Sequence, residues 1–150
     1  MAKQQTIRYL EDNDFPGFNL SFRVGQGGFN DKGDIMLIQA FFLFIAAGTD
    51  FFQTGLKSRS ELPVLTGIWD ARTLFAVIAF QLRWIKLLVA EHSGMLFPLP
   101  GDYWIASFQQ RRPTLAMMNE LAWTVKGSES VTLPQAMLAA FPELRPLMRG

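Results

Sequence analysis

The chain has 150 residues, of which 49% are hydrophobic, 13% aromatic and 18% charged, enough apolar material for a packed core and too much for intrinsic disorder. Fourteen Lys and Arg against thirteen Asp and Glu leave a net charge of +1, and the only tight basic pair is Arg111-Arg112, so no nucleic-acid surface is expected. With no cysteine, disulfides, thiol nucleophiles and thiolate metal sites are excluded, and a single histidine, His92, rules out a multi-histidine zinc site.

The amino terminus turns acidic at Glu11-Asp12-Asn13-Asp14 without an apolar stretch or a small-residue cleavage site, so no secretory signal peptide is expected. Residues 1 to about 29 read as extended and loop-like. One strand is predicted where Phe15, Phe18, Leu20, Phe22 and Val24 alternate loosely with polar residues. Asp31 is the expected N-cap of a first helix, with Asp34 placed in its first turn where negative charge suits the dipole. That helix is predicted to run to about Ala47 and to stop at Gly48. A polar loop follows over 49–64, then a Thr66-Gly67 turn, an Asp70 N-cap and a second helix from Ala71 to about Ala90. Beyond a Pro/Gly-rich loop, a short helix is predicted over 102–109. The segment 113–125 fits either a strand and helix or one helix, and a last amphipathic helix is expected from Leu133 to Phe141.

The run from Ile35 to Ala47 covers 13 residues and contains Gln39, while Leu74 to Ala90 carries Arg83 and Lys86. A bilayer crossing needs ~20 apolar residues, so no membrane span is expected. The chain reads as cytoplasmic when synthesised, acting there, in the periplasm or within a phage-like or secretion particle. Gln39 is the only polar residue between Ile35 and Ala47, and a helix apolar all round must be covered all round. Each wet Phe, Leu or Ile would forgo ~1.5–3 kcal/mol. Residues 95–150 are the preferred cover; the alternative is another protein, through an oligomer contact on helix 35–47.

Two stretches together resemble the peptidoglycan-binding-domain-like family, a three-helix module of cell-wall hydrolases. The first is Gly33-Asp-Ile-Met-Leu-Ile-Gln39 with Phe42, similar to the family's Gly, Asp or Ala, Val, two variable residues, Leu-Gln, then Leu. The second runs from Thr66 to Gln81, where Gly67, Thr73, Ala76, Val77, Phe80 and Gln81 match the family pattern position for position. Thr66 stands where the family prefers Asp, and Asp70 where it prefers Gly. Phe41, Phe44, Phe75 and Ile78 occupy positions that the family often leaves polar. A looser similarity extends to Ser93-Gly-Met-Leu-Phe-Pro98 and to Thr114-Leu-Ala-Met-Met-Asn119. The resemblance implies a mainly α fold: a small orthogonal helical bundle over 24–92, an N-terminal extended arm over 1–23 and a helical C-terminal extension over 93–150. Physically, Ile35, Ile38, Phe42, Val77 and Phe80 recur at helical spacing as core, and Gly67 permits the turn into the second helix. Gln39 and Gln81 are expected to be half-buried amides bonding loop backbone.

Catalysis finds little footing. His92 alone cannot supply a zinc peptidase or a triad, no Glu sits in a lysozyme-like context, and Gly25-Gln-Gly-Gly28 lacks the Lys of a phosphate loop. The expectation is a non-enzymatic chain without cofactor or metal. The resemblance implies binding of bacterial peptidoglycan, recruiting or anchoring a larger assembly at the envelope. Trp69 is then the candidate for stacking on a sugar, and Asp34, Asp70 and Arg72 are the candidates for its hydroxyls, amides or carboxylates. Tyr103 and Trp104 form a second candidate aromatic platform. The alternative is a structural or adaptor protein of a phage tail, contractile injection particle or secretion system, using the same scaffold for protein contacts.

Overall fold

The first helix, α1 (Lys32–Ala46), is buried along nearly its whole length: from Gly33 to Ala46 only Leu43 and Phe44 are even half-exposed. The computed structural model describes residues 2–8, 14–48, 51–84, 94–99, 114–127 and 130–149. It is mainly helical, with α2 (Ala71–Trp84), α3 (Thr114–Lys126) and α4 (Leu133–Ala140); 3₁₀ turns at Phe51–Thr54 and Arg59–Glu61 lie between α1 and α2, and one at Pro142–Leu147 follows α4. Among the described residues no helix is long and apolar enough to cross a membrane.

Local signals explain where these helices start. Asp31 caps α1, its carboxylate accepting from the Asp34 N–H at 3.2 Å. Thr132 caps α4 in a reciprocal box with Gln135, and Pro134 occupies the first turn, where its missing N–H costs nothing. The segment 113–125, open to two interpretations in sequence, is from Thr114 onward one helix. Leu115, Met118 and Ala122 bury one stripe of it, and Ala116, Met117 and Asn119 are buried beside them, which blurs the period. The predicted helix over 102–109, and the part of the second helix beyond Trp84, lie outside the described residues.

A small sheet replaces much of the expected arm. β1 (Ala2–Arg8) pairs antiparallel with β2 (Asp14–Asn19), from Lys3 opposite Asn19 to Arg8 opposite Asp14. The two-residue β3 (Met148–Arg149) lies parallel to β1 on its other side. β2 is therefore an edge strand, which is how it accommodates Pro16. It buries Phe15 and Phe18, and Phe18 meets Phe41 of α1 edge-on at 6.2 Å.

β1, α3, α4 and the 3₁₀ turns at Phe51–Thr54 and Pro142–Leu147 all pack on α1. The apolar helix is thus largely covered by its own chain, and over 35–47 only Leu43, Phe44 and Ala47 keep exposed surface. α2 closes on α1 through Phe80, fully buried, whose ring meets Phe42 edge-on at 5.9 Å.

Buried carboxamides pin the loops to this helical core. Gln81 accepts from the Gly94 N–H at 3.1 Å and donates to the Met95 carbonyl at 3.3 Å and the Thr114 hydroxyl at 3.2 Å. Asn119 accepts from the Phe18 N–H at 2.8 Å and donates to the Phe18 carbonyl at 2.9 Å, joining α3 to β2. Asn19 holds the N–H and carbonyl of Leu99 in the same two-sided way, both at 2.8 Å. Gln39 and Gln81 do bond loop backbone, but they are fully rather than half buried. Each satisfies a donor and an acceptor that would otherwise cost ~1–3 kcal/mol apiece.

Candidate functional site

The turn singled out in sequence is organised by Gln39. Its Oε1 accepts from the N–H groups of Thr66 and Gly67 at 2.9 and 2.8 Å, and its Nε2 donates to the Ile68 carbonyl at 3.1 Å. Nε2 also donates to the Thr73 hydroxyl at 3.0 Å, which in turn donates to the Asp70 carboxylate at 2.7 Å. A polar relay therefore runs from the middle of α1 to the cap of α2. Gly67 has φ +74°, and a Cβ there would sit 2.6 Å from the Lys32 side chain, so any other residue would be strained.

The predicted binding residues fare unequally. Asp70 is an N-cap: it accepts from both the N–H and the hydroxyl of Thr73, and these bonds hold its carboxyl below the usual carboxylate range. Arg72 is exposed, with its guanidinium donating to the Ser60 carbonyl. Trp69 is half-buried and packs on the core. These three share one turn of chain, flanked by exposed Val64 and Ile68. Asp34 does not belong with them as a ligand group. It is 0% exposed, and its two oxygens accept from the N–H groups of Ser21 and Phe22 at 2.9 and 3.1 Å. An accessible ligand carboxylate must be wet, and this one is spent on joining the chain before α1 to the helix. Tyr103 and Trp104 lie outside the described residues. Among the described residues no three His, Asp or Glu side chains come together to hold a metal ion.

A second feature lies along the outer side of α2. Phe75, Ile78, Ala79 and Leu82 follow one another at i, i+3, i+4 and i+7, so they share a face. With Phe52, Gly55 and Leu56 they line a groove of about 580 Å³. Phe52, Phe75 and Leu82 are 62%, 54% and 57% exposed, while Leu56 is buried. Lys57, Glu61 and Arg83 complete its lining.

The groove is built rigidly. Gly55, at φ +84°, lies so close to α2 that a Cβ would fall 2.4 Å from the Ala79 carbonyl oxygen. Thr54 donates to the Phe51 carbonyl at 2.9 Å and accepts from the Leu56 N–H at 3.1 Å, locking the turn. The Trp84 indole N–H donates to the Gln53 carbonyl at 2.7 Å, tying the 51–56 segment to the end of α2. Glu61 caps the next turn, accepting from the N–H groups of Lys57 and Ser58 at 2.9 and 3.0 Å. Phe75 and Ile78 stand at positions that the resembling family often leaves polar, and here they line the groove. Those two residues were the available signal for a groove that also needs Phe52, distant in sequence. No family model matches the chain, and neither the curated proteins nor the solved structures include a match to it.

Proposed function

We propose that this chain is a non-catalytic binding module on a peptidoglycan-binding-like scaffold, working as an adaptor that joins a protein partner within an envelope-directed assembly. One observation carries the adaptor reading: Phe75 and Leu82 on the outer face of α2 and Phe52 in the neighbouring 3₁₀ turn, each more than half exposed, surround a preformed groove. Contiguous exposed apolar surface of this kind marks interaction sites. The polar residues that carry the family resemblance support the scaffold half of the reading, since Gln39, Thr73, Gln81, Thr114 and Asn119 are all engaged in holding segments together.

Direct binding of the cell wall is the second reading. It is favoured by the turn at 64–72, where half-buried Trp69 lies beside exposed Val64 and Ile68 and the Asp70 carboxylate. Co-sedimentation with purified peptidoglycan sacculi separates the two. The adaptor reading expects recovery in the pellet no higher than for a control protein of similar charge. Strong retention that Trp69→Ala abolishes and Phe75→Asp leaves intact would establish the wall-binding reading instead.

A further inference from the structure

We propose that the α2 groove docks an amphipathic helix of a protein partner whose flanks are acidic. The proposal rests on the adaptor reading and names the chemistry of what the adaptor holds.

Shape points to a helix. The stripe from Phe75 to Leu82 runs ~10 Å along α2, about two turns, with Phe52 across the groove from it in sequence and space. Ala79 and Gly55 keep the middle of the groove low, because neither carries a side chain beyond Cβ. A helix lying there would set its own i, i+3, i+4 and i+7 side chains against the α2 ridge, as helix-in-groove recognition does. A small apolar ligand suits the site less well. Such ligands are enclosed over most of their surface, whereas three of the apolar walls here are more than half open.

Charge decides between partners. Lys57 and Arg83 are both exposed and both line the groove. Arg83 lies over the Trp84 ring, 5.1 Å from its centroid, and its guanidinium donates to the Gln53 side-chain oxygen at 3.4 Å. The one carboxylate in the lining, Glu61, already accepts from two backbone N–H groups. Two cations against that one carboxylate leave the lining with a net charge of +1 toward an incoming helix, and carboxylates flanking the partner's apolar stripe would complement it. A second copy meeting this one through the same face would bring Lys57 and Arg83 up against like charges.

A displayed library of random 16-residue peptides, selected on the full chain and counter-selected on Phe75→Asp, tests this. The expected enrichment has large apolar residues at i, i+3, i+4 and i+7 and an excess of Asp and Glu. The best synthetic peptide should then lose at least about 10-fold in affinity to Lys57→Glu/Arg83→Glu, with the loss shrinking at 0.5 M salt. Enriched peptides without helical spacing or with net positive charge would overturn the proposal. So would no enrichment over Phe75→Asp, or a dimer in light scattering that Phe75→Asp dissolves, which would name a second copy as the occupant. These failures leave the sacculus experiment untouched, so loss of the acidic-helix partner and loss of the adaptor reading are told apart.

Discussion

At Asp34, burial and hydrogen bonding pull the same carboxylate in opposite directions. Burial disfavours the charged form, while the N–H groups of Ser21 and Phe22 favour it; burial prevails, and the carboxyl is held above its ordinary value of 3.8. The native state then keeps its proton to a higher pH than the unfolded chain does. Stability accordingly falls as pH rises from 3.8 through the raised value, and the penalty is fully present above it. Asp70 works the other way: its lowered value contributes stability that is present above 3.8 and is lost only as pH falls through the native value. Asp34→Asn separates the two. Removing the charge should abolish the Asp34 share of the decline, so the difference in unfolding free energy between wild type and variant narrows as pH rises. The amide also turns one N–H donor toward another, so the variant remains weaker than wild type in acid by about 1–3 kcal/mol. Urea unfolding at a series of pH values measures both effects, and a constant difference across the series would refute the burial account.

Helices in this chain were legible from their ends, and their neighbours were not. Asp31 and Asp70 announce α1 and α2 because capping is a local bond between a side chain and an N–H two or three residues on. Gln39 and Gln81 were legible too, as amides in otherwise apolar surroundings that had to find backbone partners. β1 was not: Lys3-Gln4-Gln5-Thr6 carries no apolar alternation, and its strand character comes from pairing with β2 and β3. Periodicity likewise shows α1 apolar all round without telling which segments cover it; α3, α4 and the last turn, within the expected 95–150, share that task with β1 and the 51–54 turn, and the exposed apolar surface lies along α2. What places it there is Gly55, a residue with no chemistry of its own, whose missing Cβ lets the 51–56 segment approach Ala79. Gly55→Ala should therefore be costly on two counts: a positive φ, and a contact with backbone that cannot swing aside. We expect a loss of at least about 1–3 kcal/mol, read as a lower urea midpoint with an unchanged slope. A neutral substitution would mean that the groove floor yields.

Across the whole molecule, apolar residues of similar size perform opposite tasks, and two substitutions tell them apart. Leu144 sits in the 3₁₀ turn that follows α4 and is fully buried. That turn packs on α1 closely enough that a Cβ on Gly33 would fall 2.7 Å from the Leu147 carbonyl oxygen, and it leads straight into β3 alongside β1. The last turn of chain is thus part of the wall around α1, joined to the first strand by the sheet. Leu144→Ala opens a cavity in that wall, and the expected cost is ~2–5 kcal/mol. Phe75, by contrast, contributes its exposed half to the groove and little to the core. Phe75→Asp should change the unfolding free energy by less than about 1 kcal/mol, within the range of surface substitutions away from buried features. The two values belong in one experiment, because their contrast is what the docking surface depends on. If Phe75→Asp proves as destabilising as Leu144→Ala, then the α2 face is serving the protein's own core, and the groove is not free to receive a partner.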